Sequence, residues 1–148
     1  MTVVLLDTSV FCNVLRVPGR DQEADSVMEK LTRLIRENAT LLLPLAVVLE
    51  TGNHVARVGR RDVAERFAQA VRAALEGGAP WIPTPLVTGD ELRKWLDAFP
   101  DEAARGVSLV DLSIIREWER QCALNRGRRV AIWSLDQHLQ GYDRAPEL

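Results

Sequence analysis

Apolar residues are arranged along this chain in two alternating patterns. Short continuous runs alternate with longer stretches in which apolar residues recur at helical spacing, and such alternation is typical of strands followed by helices. The continuous runs predict buried strands at 3–6, 40–43 and 128–133. Helical spacing and capping residues predict helices at 24–35, 63–75 and 108–125, with a further helix that begins near Leu45.

Proline and capping residues set the remaining expected boundaries. The segment PWIPTPL at 80–86 contains three prolines and is expected to form an edge strand or extended segment, because proline cannot donate to a central ladder. Thr88 and Glu91 form a capping box for a helix that is expected to run to about Ala98 and to be terminated by Pro100.

Alternation of strand and helix predicts an α/β fold in which a central parallel sheet is covered by helices on both faces. A chain of 148 residues suits one domain, and no linker, repeat or low-complexity segment divides residues 1–148. In such folds, sites form at the carboxyl ends of the strands. Polar residues that follow the predicted strands are therefore the first candidates for a site.

Composition narrows the cellular context. The chain is 47% apolar and 27% charged, as in ordinary soluble proteins, and its longest apolar run, 41–49, is far short of the ~20 residues that span a bilayer. No signal peptide is expected, and Cys12 and Cys122 have the isolated placement of reduced thiols. We therefore expect a cytoplasmic protein with no membrane association.

Four acids occupy positions where the predicted fold could bring them together. Asp7 and Asp136 follow the first and last strands, and Glu50 lies in the helix after the second strand. Asp111 lies at the start of the 108–125 helix and shares a face with apolar residues three, four, seven and eleven positions on. Each acid taken alone also has a structural reading, since Asp7, Asp111 and Asp136 could cap helices.

Converging carboxylates would need a counter-charge. Two unit charges about 4 Å apart repel by roughly 4 kcal/mol at an effective dielectric constant of 20. The chain has only two lysines, Lys30 and Lys94, and no His or Cys cluster, so that a hard divalent cation, Mg²⁺ or Mn²⁺, is the natural partner. Such an ion, bound by Asp7, Glu50, Asp111 and Asp136, could hydrolyse a phosphodiester.

The formal net charge of −2 gives no general attraction for a polyanion, so nucleic acid would have to be held by local features. Arginines are the natural candidates for contacts with phosphate groups. The expected RNA-binding residues are Arg57, Arg60, Arg61, Arg105 and Arg116.

The chain resembles the PIN-domain ribonucleases, most closely the VapC-like toxins of toxin–antitoxin pairs. The resemblance spans nearly the whole sequence. Asp7-Thr8-Ser9 after a hydrophobic strand matches the opening motif of the family, and its later acids match Glu50, Asp111 in GVSLVDLSII and Asp136 after Ser134. Leu139 stands where an aromatic residue is usual, and His138 stands where some members carry another acid.

This resemblance implies a three-layer α/β/α PIN-like fold and Mg²⁺-dependent endoribonuclease activity. It also implies frequent homodimers and inhibition by a small antitoxin protein. On the same reading, Ser9 and Ser134 orient carboxylates or metal-bound water by hydrogen bonding, and Asn13 faces the site one helical turn beyond Ser9.

Two other classes of function compete with a nuclease. A phosphotransfer enzyme or receiver domain also places an aspartate after the first strand, but no lysine follows Lys94, and nucleotide-binding glycine motifs do not occur. A non-catalytic module with the same fold could bind RNA or a protein without cleaving it. Retention of all four acids favours the nuclease over that module.

Overall fold

The computed structural model describes residues 1–148 and is an α/β structure with five strands and six helices. The strands are β1 (Thr2–Leu6), β2 (Thr40–Pro44), β3 (Trp81–Thr84), β4 (Arg129–Trp133) and β5 (Asp143–Arg144). The helices are α1 (Thr8–Val14), α2 (Ala24–Arg36), α3 (Leu45–Val58), α4 (Arg61–Leu75), α5 (Gly89–Ala104) and α6 (Leu109–Leu124).

One sheet contains all five strands, in the order β3-β2-β1-β4-β5. The first four strands are parallel, and β1 lies in the centre with Leu6 paired to Trp133 at the end of β4. The sequence predicted a parallel sheet, but the two-residue β5 pairs antiparallel with β4. A strand this short carries no periodicity from which it could be predicted.

Helices cover both faces of the sheet, an arrangement compatible with three α/β/α layers. Val4 and Leu6 of β1 face the larger core, to which α1, α2, α3 and α4 contribute. The alternate residues Val3 and Leu5 face α6, where Trp118 and Cys122 pack against them. This strict alternation follows from the two-residue period of a strand, and it buries β1 on both sides.

Most element boundaries lie within two residues of those predicted. Helix α3 begins at Leu45 immediately after Pro44, and Gly59 ends it in the left-handed region at φ 70°. Strand β3 is an edge strand, as its prolines predicted. No helix is long and apolar enough to cross a membrane.

The predicted end of α5 near Ala98 is wrong. The helix continues to Ala104 with Pro100 inside it. Proline in a helix interior removes one hydrogen bond and crowds the carbonyl four residues earlier. No residue of α5 is fully buried, so this helix can distort around the ring without disturbing the core.

Replacing Pro100 by Ala should therefore stabilise the protein. We expect a gain of about 1–3 kcal/mol in the free energy of unfolding. Proline in a helix interior is about 3 kcal/mol less favourable than alanine. Proline also restricts the unfolded chain, and losing that restriction offsets part of the gain. Urea unfolding measures the change. Pro146→Ala, in the exposed C-terminal segment outside any helix, is the control; equal stability of both variants would contradict this account.

Candidate functional site

The four acids singled out in the sequence line one cleft, whose volume is about 470 Å³. Asp7 directly follows β1, and Asp136 follows β4, its neighbour in the sheet. Glu50 lies in the second turn of α3, and Asp111 lies in the first turn of α6. Parallel pairing brings the carboxyl ends of β1, β2 and β4 to one edge, and the segments that follow them carry three of these acids there.

Asp7 occupies the position that precedes α1, but its side chain does not cap the helix. Its Oδ2 accepts hydrogen bonds from Ser134 Oγ at 2.7 Å and from Ser9 Oγ at 3.0 Å. The residue is only 4% exposed, and Oδ1 receives no hydrogen bond from the protein. One oxygen is therefore fixed by hydroxyls while the other is left for a ligand, which is not the arrangement of a helix cap.

Ser9 and Ser134 join the segment after β4 to the start of α1. The Ser134 hydroxyl accepts a hydrogen bond from the Asp136 N–H at 2.9 Å, and the Ser9 hydroxyl accepts one from the Leu135 N–H at 3.0 Å. Each hydroxyl thus receives a backbone donor and gives its own proton to Asp7. The two serines hold Asp7 and the backbone of Asp136 in a fixed relation, as expected for residues that orient a site.

Glu50 and Asn13 are also held by neighbours at the cleft. Thr8 Oγ1 donates to Glu50 Oε2 at 2.8 Å, so the residue after Asp7 orients the acid of α3. Asn13 is buried; its amide donates to the Ser9 carbonyl at 2.8 Å, and its oxygen accepts from the Glu23 N–H at 3.0 Å. Asn13 lines the cleft as predicted, and its contacts tie α1 to the loop before α2.

Asp111 combines the two readings that its sequence context left open. Ser108 caps α6, because its hydroxyl accepts a hydrogen bond from the Asp111 N–H at 3.0 Å. The carboxylate lies in the cleft, where burial, reinforced by the charges of Asp7, Asp136 and Glu50, raises the pKa of Asp111 from 3.8 to about 6. The side chain is therefore in an environment that penalises its negative charge.

Asp136 is the most exposed of the four acids. Its Oδ1 accepts a hydrogen bond from the His138 N–H at 3.0 Å, which is the local turn contact that aspartate commonly makes. No helix follows Asp136, so the helix-capping role that the sequence also allowed is not present. The contact with the His138 N–H engages one oxygen and leaves Asp136 facing the same cleft as Asp7.

The donor set suits a hard divalent cation, because it consists of carboxylates with few competing cations nearby. As they stand, however, no three His, Cys, Asp or Glu side chains lie close enough together to hold one metal ion. Asp7 and Glu50 each keep one oxygen free of protein hydrogen bonds. The residues offer the oxygen ligands that Mg²⁺ or Mn²⁺ prefers, and they line one cleft. They do not form a complete coordination shell as they stand.

Nine residues that line this cleft were not among the predicted site residues, and three of them, Thr8, Arg20 and His54, bear on its chemistry. Thr8 orients Glu50, and its only sequence signal was its place in the Asp-Thr-Ser run. Arg20 is the single Arg or Lys that lines the cleft, and it forms no ion pair. His54 also lines it, and its pKa is lowered by burial and by Arg20 against the opposing effect of Glu50. Nothing in the sequence around Arg20 marks it.

The arginines predicted to bind RNA are distributed differently from the acids. Arg57 lines a smaller cleft that shares Glu50 and His54 with the acidic one. The other four lie outside the acidic cleft and are paired with acids of their own helices or loops. The pairs are Arg60–Asp62, Arg61–Glu65, Arg105–Glu102 and Arg116–Glu119.

No protein-family model, curated protein or solved structure matches this chain.

Removing the Ser134 hydroxyl should destabilise the fold. Ser134→Ala deprives Asp7 Oδ2 and the Asp136 N–H of a buried partner, and we expect the free energy of unfolding to fall by about 1–3 kcal/mol. Chemical unfolding measures this loss. Ser26→Ala, at an exposed serine of α2, is the matched control and should change stability by no more than about 0.5 kcal/mol. Equal stability of the two variants would exclude this positioning role.

Removing the charge of Asp111 should stabilise the metal-free protein in a pH-dependent way. The pKa of about 6 in the folded state lies above its ordinary value of 3.8, so ionised Asp111 opposes folding above pH 6 and is without effect below about pH 4. This pKa rise corresponds to about 3 kcal/mol before solvent screening. Even half of that exceeds the roughly 0.3–1 kcal/mol that the helix dipole contributes.

The measurement is thermal unfolding of Asp111→Asn and of the unsubstituted protein in chelator between pH 4 and pH 8. We expect a higher Tm for the variant at pH 8 and no difference at pH 4. Asp97→Asn, at an exposed acid of α5, controls for the loss of one charge. A stabilisation independent of pH would show that repulsion within the cleft is not its cause.

Proposed function

We propose that this protein is a PIN-type endoribonuclease that depends on Mg²⁺ or Mn²⁺ and hydrolyses RNA phosphodiester bonds. One observation carries the proposal: four carboxylates from distant segments, Asp7, Glu50, Asp111 and Asp136, line a single cleft. Burial and, after it, repulsion from the other three carboxylates raise the pKa of Asp111 to about 6. A fold that accepts such a cost without a structural need is typical of a functional site.

Asp7, Glu50, Asp111 and Asp136 are the residues that would hold the metal ion, and binding it would require them to move closer together than they stand without it. A bound Mg²⁺ would supply an activated water for attack on phosphorus and would stabilise charge on the leaving oxygen. Ser9 and Ser134 fix Asp7 through its Oδ2, and Thr8 fixes Glu50 through its Oε2. These hydroxyls restrain one oxygen of each acid and leave the other oxygen without a protein hydrogen bond.

Arg20 is suited to receive a phosphate of the substrate. Arg20 lines the cleft and forms no ion pair, although five acids, Glu23 among them, line the same cleft. An arginine presents a rigid fork of donors that matches phosphate oxygens. Arg20 would thus hold a phosphate group beside the carboxylates, and it replaces the paired arginines of α4, α5 and α6 as the first candidate for this contact.

A toxin with a protein partner is the biological role that we propose, with the cytoplasm as its location. An exposed apolar groove between α5, α6 and the segment after β3 supports a protein contact, whether with an antitoxin or with a second copy of the chain. Leu86 is 55% exposed there and Leu92 is 38% exposed. Contiguous exposed apolar surface is common where proteins associate.

A non-catalytic module that binds RNA or protein is the second candidate. It is favoured by the spacing of the acids, because no three of them stand close enough to share one ion. A binding module of this kind would still present the cleft and Arg20 to an anionic partner. The two candidates differ in whether the phosphodiester bond is broken.

An RNA cleavage assay separates these candidates. We expect the purified protein to cut RNA with Mg²⁺ or Mn²⁺, and we expect cleavage to stop with chelator. Asp7→Asn and Asp136→Asn should each lower the rate by at least about 100-fold, because each removes a charged ligand. Asp97→Asn is the matched control and should cut normally.

Two results would count against a metal-dependent nuclease. Cleavage that survives chelator and both variants would assign the activity to other chemistry. RNA binding without cleavage, in the presence of either metal, would favour the binding module. Circular dichroism of each variant establishes that it is folded before its rate is compared.

A further inference from the structure

A second groove, of about 760 Å³, lies on the α2 face of the sheet. It lies between α2 and the β4–β5 edge, where the helix layer does not cover the outer strands. Its lining includes Lys30 and Arg33 of α2 together with Arg129, Ala131 and Trp133 of β4. None of these residues belongs to the acidic cleft.

Two of the three cations in this groove have no acidic partner. Arg129 is bonded to Asp143 through two nitrogens, so its charge is already neutralised. Lys30 and Arg33 form no ion pair. The Lys30 Nζ lies 4.9 Å from the centre of the Trp133 ring, which holds the ammonium in place over an aromatic face.

The groove is therefore short of negative charge. Burial, and then the charges of Arg33 and Arg129, lower the pKa of Lys30, while Asp143 opposes them more weakly. Glu37 is the other acid of the lining and pairs with neither Lys30 nor Arg33. An anion placed between these two cations would relieve their repulsion, which is the reverse of the situation in the acidic cleft.

The groove and the acidic cleft meet at the segment that follows β4. Leu135 lines both of them. Ser134 also lines the groove, and its hydroxyl donates to Asp7 in the cleft. Leu135 is therefore the point at which a chain of phosphate groups would cross from the cleft into the groove that contains Lys30 and Arg33.

We propose that this groove binds the single-stranded RNA that continues from the acidic cleft, with Lys30 and Arg33 holding its phosphates. This proposal rests on the proposed function, because the proposed nuclease activity is the reason to expect RNA as the partner. Grooves that bind single strands commonly combine cations that track the backbone with aromatic side chains. Here Trp133 supports Lys30, and Arg129 with Asp143 forms the opposite wall.

The test measures binding separately from cleavage. A fluorescein-labelled single-stranded RNA of about 20 nucleotides, long enough to span both sites, is titrated with Asp7→Asn protein at several salt concentrations, so that no substrate is cut. Lys30→Gln with Arg33→Gln should weaken binding by about 10- to 30-fold at about 0.1 M salt. The slope of log affinity against log salt should fall by about 1.4, because each phosphate contact to a single strand contributes ~0.7.

Arg72→Gln with Arg93→Gln is the matched control, because it removes the same charge at exposed arginines of α4 and α5 that form no ion pair. It should leave both affinity and slope unchanged. Thermal unfolding establishes that both double variants remain folded. A loss of RNA affinity that is confined to the groove variant supports the proposal. If the unsubstituted protein nevertheless cuts no RNA, the proposed nuclease activity fails while the proposed RNA binding stands.

Three results would overturn the proposal. Equal affinity and equal salt slope in the groove and control variants would show that the RNA does not reach Lys30 and Arg33. Loss of affinity without a change in slope would point to an indirect effect through Trp133. Tighter binding of a polyglutamate peptide than of RNA at the groove would identify an acidic protein as its partner.

Discussion

The pairing of β1 with β4 is the constraint on which the site depends. Leu6 lies opposite Trp133, so the next residue of each strand, Asp7 and Ser134, emerges at the same edge. The Asp7 N–H donates to the Trp133 carbonyl at 3.0 Å, which extends the ladder by one step beyond the strands. The 2.7 Å hydrogen bond from Ser134 to Asp7 then follows from the register, and a one-residue slip would turn Asp7 toward the opposite face.

The cleft is a place where the fold accepts an electrostatic cost. Five acids, the four named above and Glu23, line it together with one arginine, whereas Arg60 and Arg61, which lie outside it, are paired with nearby acids. Hydroxyls compensate part of this charge, since Thr8, Ser9 and Ser134 each donate to a carboxylate. Asp111 has a hydroxyl neighbour in Ser108, but burial first, and then the charges of Asp7, Asp136 and Glu50, outweigh it and raise the pKa of Asp111 to about 6.

Sequence patterns could predict the parts of this molecule that depend on local regularity. Apolar runs, helical spacing, prolines and capping residues located four of the five strands and five of the six helices, and the place of Asp7 and Asp136 after strands was enough to expect them at one edge of the sheet. Arg20 could not be predicted in this way, because only tertiary folding carries the loop before α2 to the cleft. The end of α5 was mistaken because proline was read as a stop, whereas an exposed helix tolerates it.

The segment after β4 links two surfaces of opposite charge. Its backbone is tied to Ser9 and Ser134 on the acidic side, while the side chain of Leu135, 38% exposed, lies between the cleft and the basic groove. A polyanion would be repelled by the carboxylates without a cation and attracted by Lys30 and Arg33 whether a cation is present or not. The groove would therefore supply binding that does not depend on metal, and the cleft would accept the strand only once its own charge had been neutralised. On these proposals, the residues that would bind the strand without metal and those that would cleave it lie on either side of Leu135.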